Sequence, residues 1–143
     1  MRLEVQKLDA DALLPTYAKP GDAGLDLRAV EDVTLKPGER SAVRTGIAIA
    51  IPEGFAGFVL ARSGRALCEG LALVNAPGLI DSGYRGEIKI VVVNLDNSDA
   101  IEIRKGEKIA QLVIQRVEEA DLDVVEKLPP SSRGAGGFGS TGR

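Results

Sequence analysis

The chain has 143 residues, with 18 Lys and Arg against 21 Asp and Glu for a formal net charge of −3, and it is 44% hydrophobic and 27% charged. That length and composition fit one soluble domain able to bury about two-thirds of its unfolded surface without staples. There is no His, no Trp and a single Cys, Cys68, which excludes Ser-His-Asp and Cys-His nucleophilic sites, His-ligated zinc and an intrachain disulfide.

Gly and Pro punctuate a series of short apolar segments, the pattern of an all-β chain. In chain order, Val33–Leu35, Ile47–Ile51, Phe55–Leu60, Ile88–Asn94, Ile101–Ile103 and Ile109–Ile114 predict strands, several with β-branched residues at every second position. The turns at 36–40 (Lys-Pro-Gly-Glu-Arg) and 104–108 (Arg-Lys-Gly-Glu-Lys) resemble each other and predict two similar hairpins in one sandwich or barrel. One short helix is predicted around Arg65 to Glu69, with Ser63 placed to cap it. Residues 1–128 therefore read as the β-domain. Residues 129–143 carry too few apolar groups to order themselves and read as a mobile tail.

No apolar run reaches signal-peptide or bilayer-spanning length, so a soluble cytoplasmic protein with no membrane partner is expected. A mildly acidic chain with 3% aromatics lacks the basic, ring-bearing face of a general nucleic-acid binder. A single nucleotide is compatible with it.

With His absent, chemistry falls to carboxylates, hydroxyls, Arg, Lys and a hard metal. Tyr84 and Phe138 lie in glycine-rich polar stretches where a core ring would be out of place. Tyr84 either stacks on a ligand or covers a sheet edge; Phe138 either stacks or anchors on a neighbouring subunit. Gly137, Gly139 and Gly142 match a dinucleotide-binding glycine pattern, but neither strand nor helix flanks them, so that match is false. Arg133, Ser140 and Thr141 among those glycines suit a phosphate clamp that orders on binding, or else a solvated tail. Arg62-Ser63-Gly64 offers a guanidinium, a hydroxyl and N–H groups to an anion, or an ordinary helix start. Asp26 and Asp81, each between apolar residues and glycine turns, are candidates for a base or a metal-shell ligand, or for turn hydrogen bonds.

In order, residues 20–27 (Pro-Gly-Asp-Ala-Gly-Leu-Asp-Leu), 62–64 (Arg-Ser-Gly), 75–86 (Asn-Ala-Pro-Gly-Leu-Ile-Asp-Ser-Gly-Tyr-Arg-Gly), 106–112 (Gly-Glu-Lys-Ile-Ala-Gln-Leu) and 133–142 (Arg-Gly-Ala-Gly-Gly-Phe-Gly-Ser-Thr-Gly) resemble the five motifs of the trimeric dUTPases. The resemblance spans nearly the whole chain. It implies a jelly-roll-like all-β subunit in a homotrimer, active sites shared between subunits and closed by the C-terminal arm, and hydrolysis of dUTP to dUMP and pyrophosphate with Mg²⁺ on the triphosphate.

Carried over by position, the resemblance implies that Asp81 activates the attacking water, that Tyr84 lies under the deoxyribose, and that a hairpin with Asn75, Gly78, Leu79, Ile80 and the following Lys89 holds uracil and sugar. Arg62, Ser63, Gly64 and Gln111 would meet the phosphates, with Arg62 and Gln111 grouped with Asp81 as catalytic. Asp26 would act on Mg²⁺ through water. Arg133 would grip the γ-phosphate, Phe138 would stack over uracil, and Gly139, Ser140 and Thr141 would complete the lid. Arg65, Glu69 and Lys108 depart from the usual pattern and are expected to touch no residue with a role. Two rivals stand beside this reading. A dCTP deaminase-like relative of the same fold is opposed by the Tyr84 segment and the complete fifth motif, and a non-catalytic trimeric β module by the presence of Asp81 and the tail.

Overall fold

The computed structural model describes residues 1–137 and residue 140; Phe138, Gly139 and Thr141 lie outside the described residues. Eleven strands and one helix follow in order: β1 (Glu4–Lys7), β2 (Leu25–Arg28), β3 (Val33–Leu35), β4 (Arg40–Arg44), β5 (Ile47–Ala50), β6 (Phe55–Ala61), α1 (Ser63–Glu69), β7 (Leu71–Leu73), β8 (Gly78–Ile80), β9 (Lys89–Asn94), β10 (Ile101–Ile103) and β11 (Lys108–Arg116). All pairings are antiparallel, in a four-stranded sheet β2-β11-β6-β8, a three-stranded sheet β4-β9-β7 and two strand pairs, β1-β5 and β3-β10. The all-β jelly-roll-like fold read from the sequence is the one present, and each predicted strand has a counterpart.

Alternation builds the core. In β9 the side chains of Ile90, Val92 and Asn94 turn inward while Lys89 faces out, as a half-buried strand requires. The apolar layer joins strands of both large sheets through Leu27, Val43, Val59, Ile90, Val92 and Leu112. Asn94, fully buried, is the polar exception, and its amide is satisfied: it donates to the carbonyls of Leu35 (2.9 Å) and Asp99 (2.8 Å) and accepts from the Asp96 N–H (2.8 Å).

Three sequence expectations are corrected. The two similar turns are not hairpins, because β3 pairs with β10, β4 with β9, and β11 with β2 and β6. Each closes on itself instead: Glu39 accepts from the Lys36 N–H (2.9 Å) and Glu107 from the Arg104 N–H (3.1 Å), around the left-handed residues Gly38 and Gly106. Each then docks on a remote strand by a reciprocal pair of main-chain bonds, Gly38 and Glu39 with Asn94, Gly106 and Glu107 with Ala29. A turn that is self-sufficient and received elsewhere can carry the chain from one sheet to another. The expected hairpin after Asn75 is likewise a corner, since β8 belongs to the four-stranded sheet and β9 to the three-stranded one.

Ser63, finally, is not a cap. Arg62 leaves β6 with extended backbone and occupies the N-cap position without a side-chain bond, so the helix starts at Ser63, whose side chain is exposed. Among the described residues no helix is long and apolar enough to cross a membrane.

Candidate active site

The residues singled out above separate into two groups on the four-stranded sheet. In the first, β2 and β11 place Asp26 beside Gln111, and β11 and β6 place Gln111 beside Leu60. Cross-strand partners share a face, so Asp26, Gln111 and Leu60 lie on one side, and Arg62 follows directly from β6. Asp26 is 2% exposed, with Arg62 Nε 3.3 Å from Oδ1 and Lys108 Nζ 2.5 Å from Oδ2. Neither carboxylate oxygen has a hydrogen bond of good geometry, so coulombic attraction in a poorly solvated setting, rather than directed bonding, holds the two cations. Gly24 makes room for this arrangement: a Cβ there would come within 3.2 Å of the Gln111 side chain. Ser63 and Gly64 share a cleft with Arg62 and Gln111. Lys108, expected to touch no residue with a role, in fact lies against Asp26. Sequence separation hid that contact, which the β2–β11 register creates.

The second group lines a cavity of about 360 Å³ that includes Asn75, Gly78, Leu79, Asp81, Tyr84 and Lys89. Its far end is a turn made by its own polar groups. The Tyr84 N–H donates to the Asp81 carbonyl (3.1 Å), Arg85 Nη1 to the carbonyls of Ser82 (2.6 Å) and Tyr84 (2.8 Å), and the Tyr84 hydroxyl to the Glu87 carbonyl (2.9 Å). Gly86 is required here, since a Cβ would collide with the Tyr84 ring and hydroxyl. Among the described residues no side chain bonds or pairs with the Asp81 carboxylate, which is exposed on the cavity wall. Ile80 is 8% exposed and serves the core as well as the wall, whereas Leu79 is 60% exposed. Glu87, Arg44 and Lys108 were not picked out as site residues; their signals are contacts distant in sequence.

These groups do not meet within the chain. The Tyr84 cavity lies at edge strand β8, with Gly78, Leu79 and Ile80 on its wall, whereas Asp26 and Gln111 stand on β2 and β11 towards the other edge of the sheet. No residue lines both. Arg133, in the turn 131–134, and Ser140 are exposed and line neither cavity.

Among the described residues there is no cluster of three acidic, Cys or His side chains that would cage a metal. Asp26, a buried carboxylate whose oxygens make no well-aligned hydrogen bond but are each paired with a cation, fits a hard ion only through an intervening water.

The sequence profile of the dUTPase family matches residues 10–142. The chain belongs to the dUTPase family of enzymes. It is 58% identical over 99% of its length to a deoxyuridine 5'-triphosphate nucleotidohydrolase of Thermobifida fusca, covering 79% of that protein, and 54% identical over 96% of its length to one of Streptomyces avermitilis, again covering 79%. A Staphylococcus bacteriophage 80alpha dUTPase solved with dUpNHpp superimposes with a TM-score of 0.94 at 32% identity, over 99% of both chains. A phage phi11 dUTPase of S. aureus, described as coordinating a structural Mg(II) ion, superimposes with a TM-score of 0.84 at 29% identity, over 91% of this chain and 100% of that one.

Proposed function

We propose that this dUTPase-family enzyme hydrolyses dUTP to dUMP and pyrophosphate, with Asp81 as the base for the attacking water. The observation that carries the reading is the unpartnered Asp81 carboxylate on the wall of the cavity that holds the Tyr84 ring. In a chain without histidine, a carboxylate free of internal partners is the group available to take a proton. As the water oxygen bonds to the α-phosphorus, its proton passes to Asp81, and the bond from that phosphorus to the bridging oxygen breaks, releasing pyrophosphate.

Uracil and deoxyribose occupy the Tyr84 cavity. The main chain of 75–80 presents donors and acceptors to the base, Lys89 closes the strand side, and the tyrosine ring leaves no room for a 2′-hydroxyl, rejecting ribonucleotides by clash. The phosphates meet Arg62, Ser63, Gly64 and Gln111, which stabilise charge as it moves onto the leaving group. Mg²⁺, bound on the triphosphate, supplies charge neutralisation there, and Asp26 is the carboxylate that would hold it through water. Arg133, Phe138, Gly139, Ser140 and Thr141 belong to an arm, 129–143, that closes over the nucleotide and excludes water.

Two half-sites towards opposite edges of one sheet, with no lining residue in common among the described residues, support an assembly in which a second copy completes each site, as a closed homotrimer allows. A cytoplasmic location is part of the same reading. The test is pyrophosphate release from dUTP, dCTP, dTTP and UTP, with and without Mg²⁺. Release from dUTP alone, dependent on Mg²⁺, is expected; equal turnover of dCTP with ammonia production would contradict the reading.

A further inference from the structure

The Tyr84 hydroxyl donates to the main-chain carbonyl of Glu87, so the ring can be no better placed than that carbonyl. What fixes it comes from the turn between β4 and β5, 41 to 43 residues earlier in the chain. Arg44 Nε lies 3.2 Å from each Glu87 carboxylate oxygen, and the Gly46 N–H donates to Oε1 at 2.9 Å. The next residue is held as firmly, with Thr45 Oγ1 donating to the Ile88 carbonyl at 2.6 Å and the Ile88 N–H to Ile47 at 2.8 Å.

Two members of the clamp are shielded, the Glu87 side chain being 14% exposed and Thr45 1%, while Arg44 reaches in from solvent at 39%. Gly46 is demanded by it. Its φ is +70°, and a Cβ would come within 2.9 Å of both Asp9 and Ala12, so the N–H aimed at Glu87 is available only from glycine. Arg44 is shared with Asp9, 3.6 Å from Nη2, while its Nε N–H is divided between the two Glu87 oxygens. A carboxylate given an arginine and a main-chain donor at the base of the sugar cavity does more than solvate a loop.

We infer that Glu87 is a positioning residue for sugar selection, acting through its own carbonyl and the Tyr84 hydroxyl. The inference rests on the reading of the Tyr84 cavity as the deoxyribose site. With the clamp cut, the ring gains freedom to move aside and the penalty on a 2′-hydroxyl shrinks, while the phosphate-side groups towards the other edge of the sheet are untouched. A role confined to holding the fold would instead lower turnover of all nucleotides alike.

The experiment measures kcat/KM for dUTP and UTP, and inhibition by pyrophosphate, in the full-length protein. Glu87→Ala is expected to lower the dUTP-over-UTP preference about tenfold, the size expected when one hydrogen-bonded support is lost, with pyrophosphate inhibition unchanged. Glu87→Gln, which keeps an acceptor for Gly46, recovers most of the preference. Tyr84→Phe lowers it on its own, and adding Glu87→Ala lowers it no further, because both changes break one chain of contacts. Should Glu87→Ala fold poorly, Arg44→Lys, which keeps the charge but not the Nε donor shared by both Glu87 oxygens, is expected to lower the preference in the same direction. A selective parent whose Glu87→Ala and Arg44→Lys variants are equally selective overturns the positioning role alone. Multiplying losses in the double variant would do the same. A parent that hydrolyses dUTP and UTP alike overturns the reading of the cavity itself.

Discussion

The two half-sites are held by different physics. Around Tyr84 the shape is set by main-chain bonds and the absence of a side chain at Gly86, with the Asp81 carboxylate left without a partner among the described residues. Around Asp26 the shape is set by charge, one buried carboxylate between Arg62 and Lys108 without a well-aligned hydrogen bond. A pocket that sorts bases needs fixed donors and acceptors, which a hydrogen-bonded turn supplies. A surface that receives a polyphosphate needs cations that can turn from an internal partner to an incoming one, and ion pairing without directed bonds leaves them able to do so.

That contrast is broken most severely at Asp81. Asp81→Asn is expected to lower kcat about 1,000-fold with KM for dUTP little changed, as steady-state pyrophosphate release would register; parent-like turnover would remove Asp81 from the mechanism. Deleting residues 133–143 should cost about 100-fold in kcat/KM through lost closure while leaving the assembly intact in analytical ultracentrifugation. Normal turnover by the truncated protein would refute the lid.

On the charged side, Asp26→Ala leaves two cations facing each other without a counter-charge. Because both are about a third exposed, the expected stability loss is about 1–3 kcal/mol, read as a lower denaturant midpoint that recovers in part as salt screens the cations. An unchanged midpoint would mean the carboxylate does not organise this face.

Smallest of all is the response outside both half-sites. Main-chain N–H groups of Asp99 and Ser98 hold the Asp96 carboxyl below its ordinary value of 3.8. The folded state therefore prefers the ionised form. The stability this gives is complete above the unfolded value and is lost as pH falls through it towards the lower folded one. Asp96→Asn should flatten the acid limb of the stability curve below about pH 4 and leave turnover at neutral pH unchanged.

How far the sequence could be read follows the same division. Strands with β-branched alternation, such as Ile88–Asn94, announced themselves, and Asp81 and Tyr84 stood out as candidates because their signals are local. Strands β1, β2, β4, β7 and β8 did not. Glu-Val-Gln-Lys is exposed at every position and Gly-Leu-Ile is only three residues long, so pairing partners rather than pattern make them strands. The twin Gly-Glu turns were visible, but their destination was not, because Asn94 and Ala29, which receive them, lie far away in the chain. Lys108 and Glu87 were missed for the same reason: each acts through a contact set by sheet register or by a remote turn.

The central claim is that the nucleoside half of each site and the phosphate half come from different copies of the chain. Mixing two inactive variants, Asp81→Asn and Gln111→Ala, unfolding and refolding them together, and assaying dUTP hydrolysis tests it directly. If the halves belong to different subunits, an equal random mixture regains about a quarter of the parent's sites, each pairing an intact Asp81 with an intact Gln111 from its neighbour. A mixture as inactive as either variant alone would show that both residues must sit on one chain.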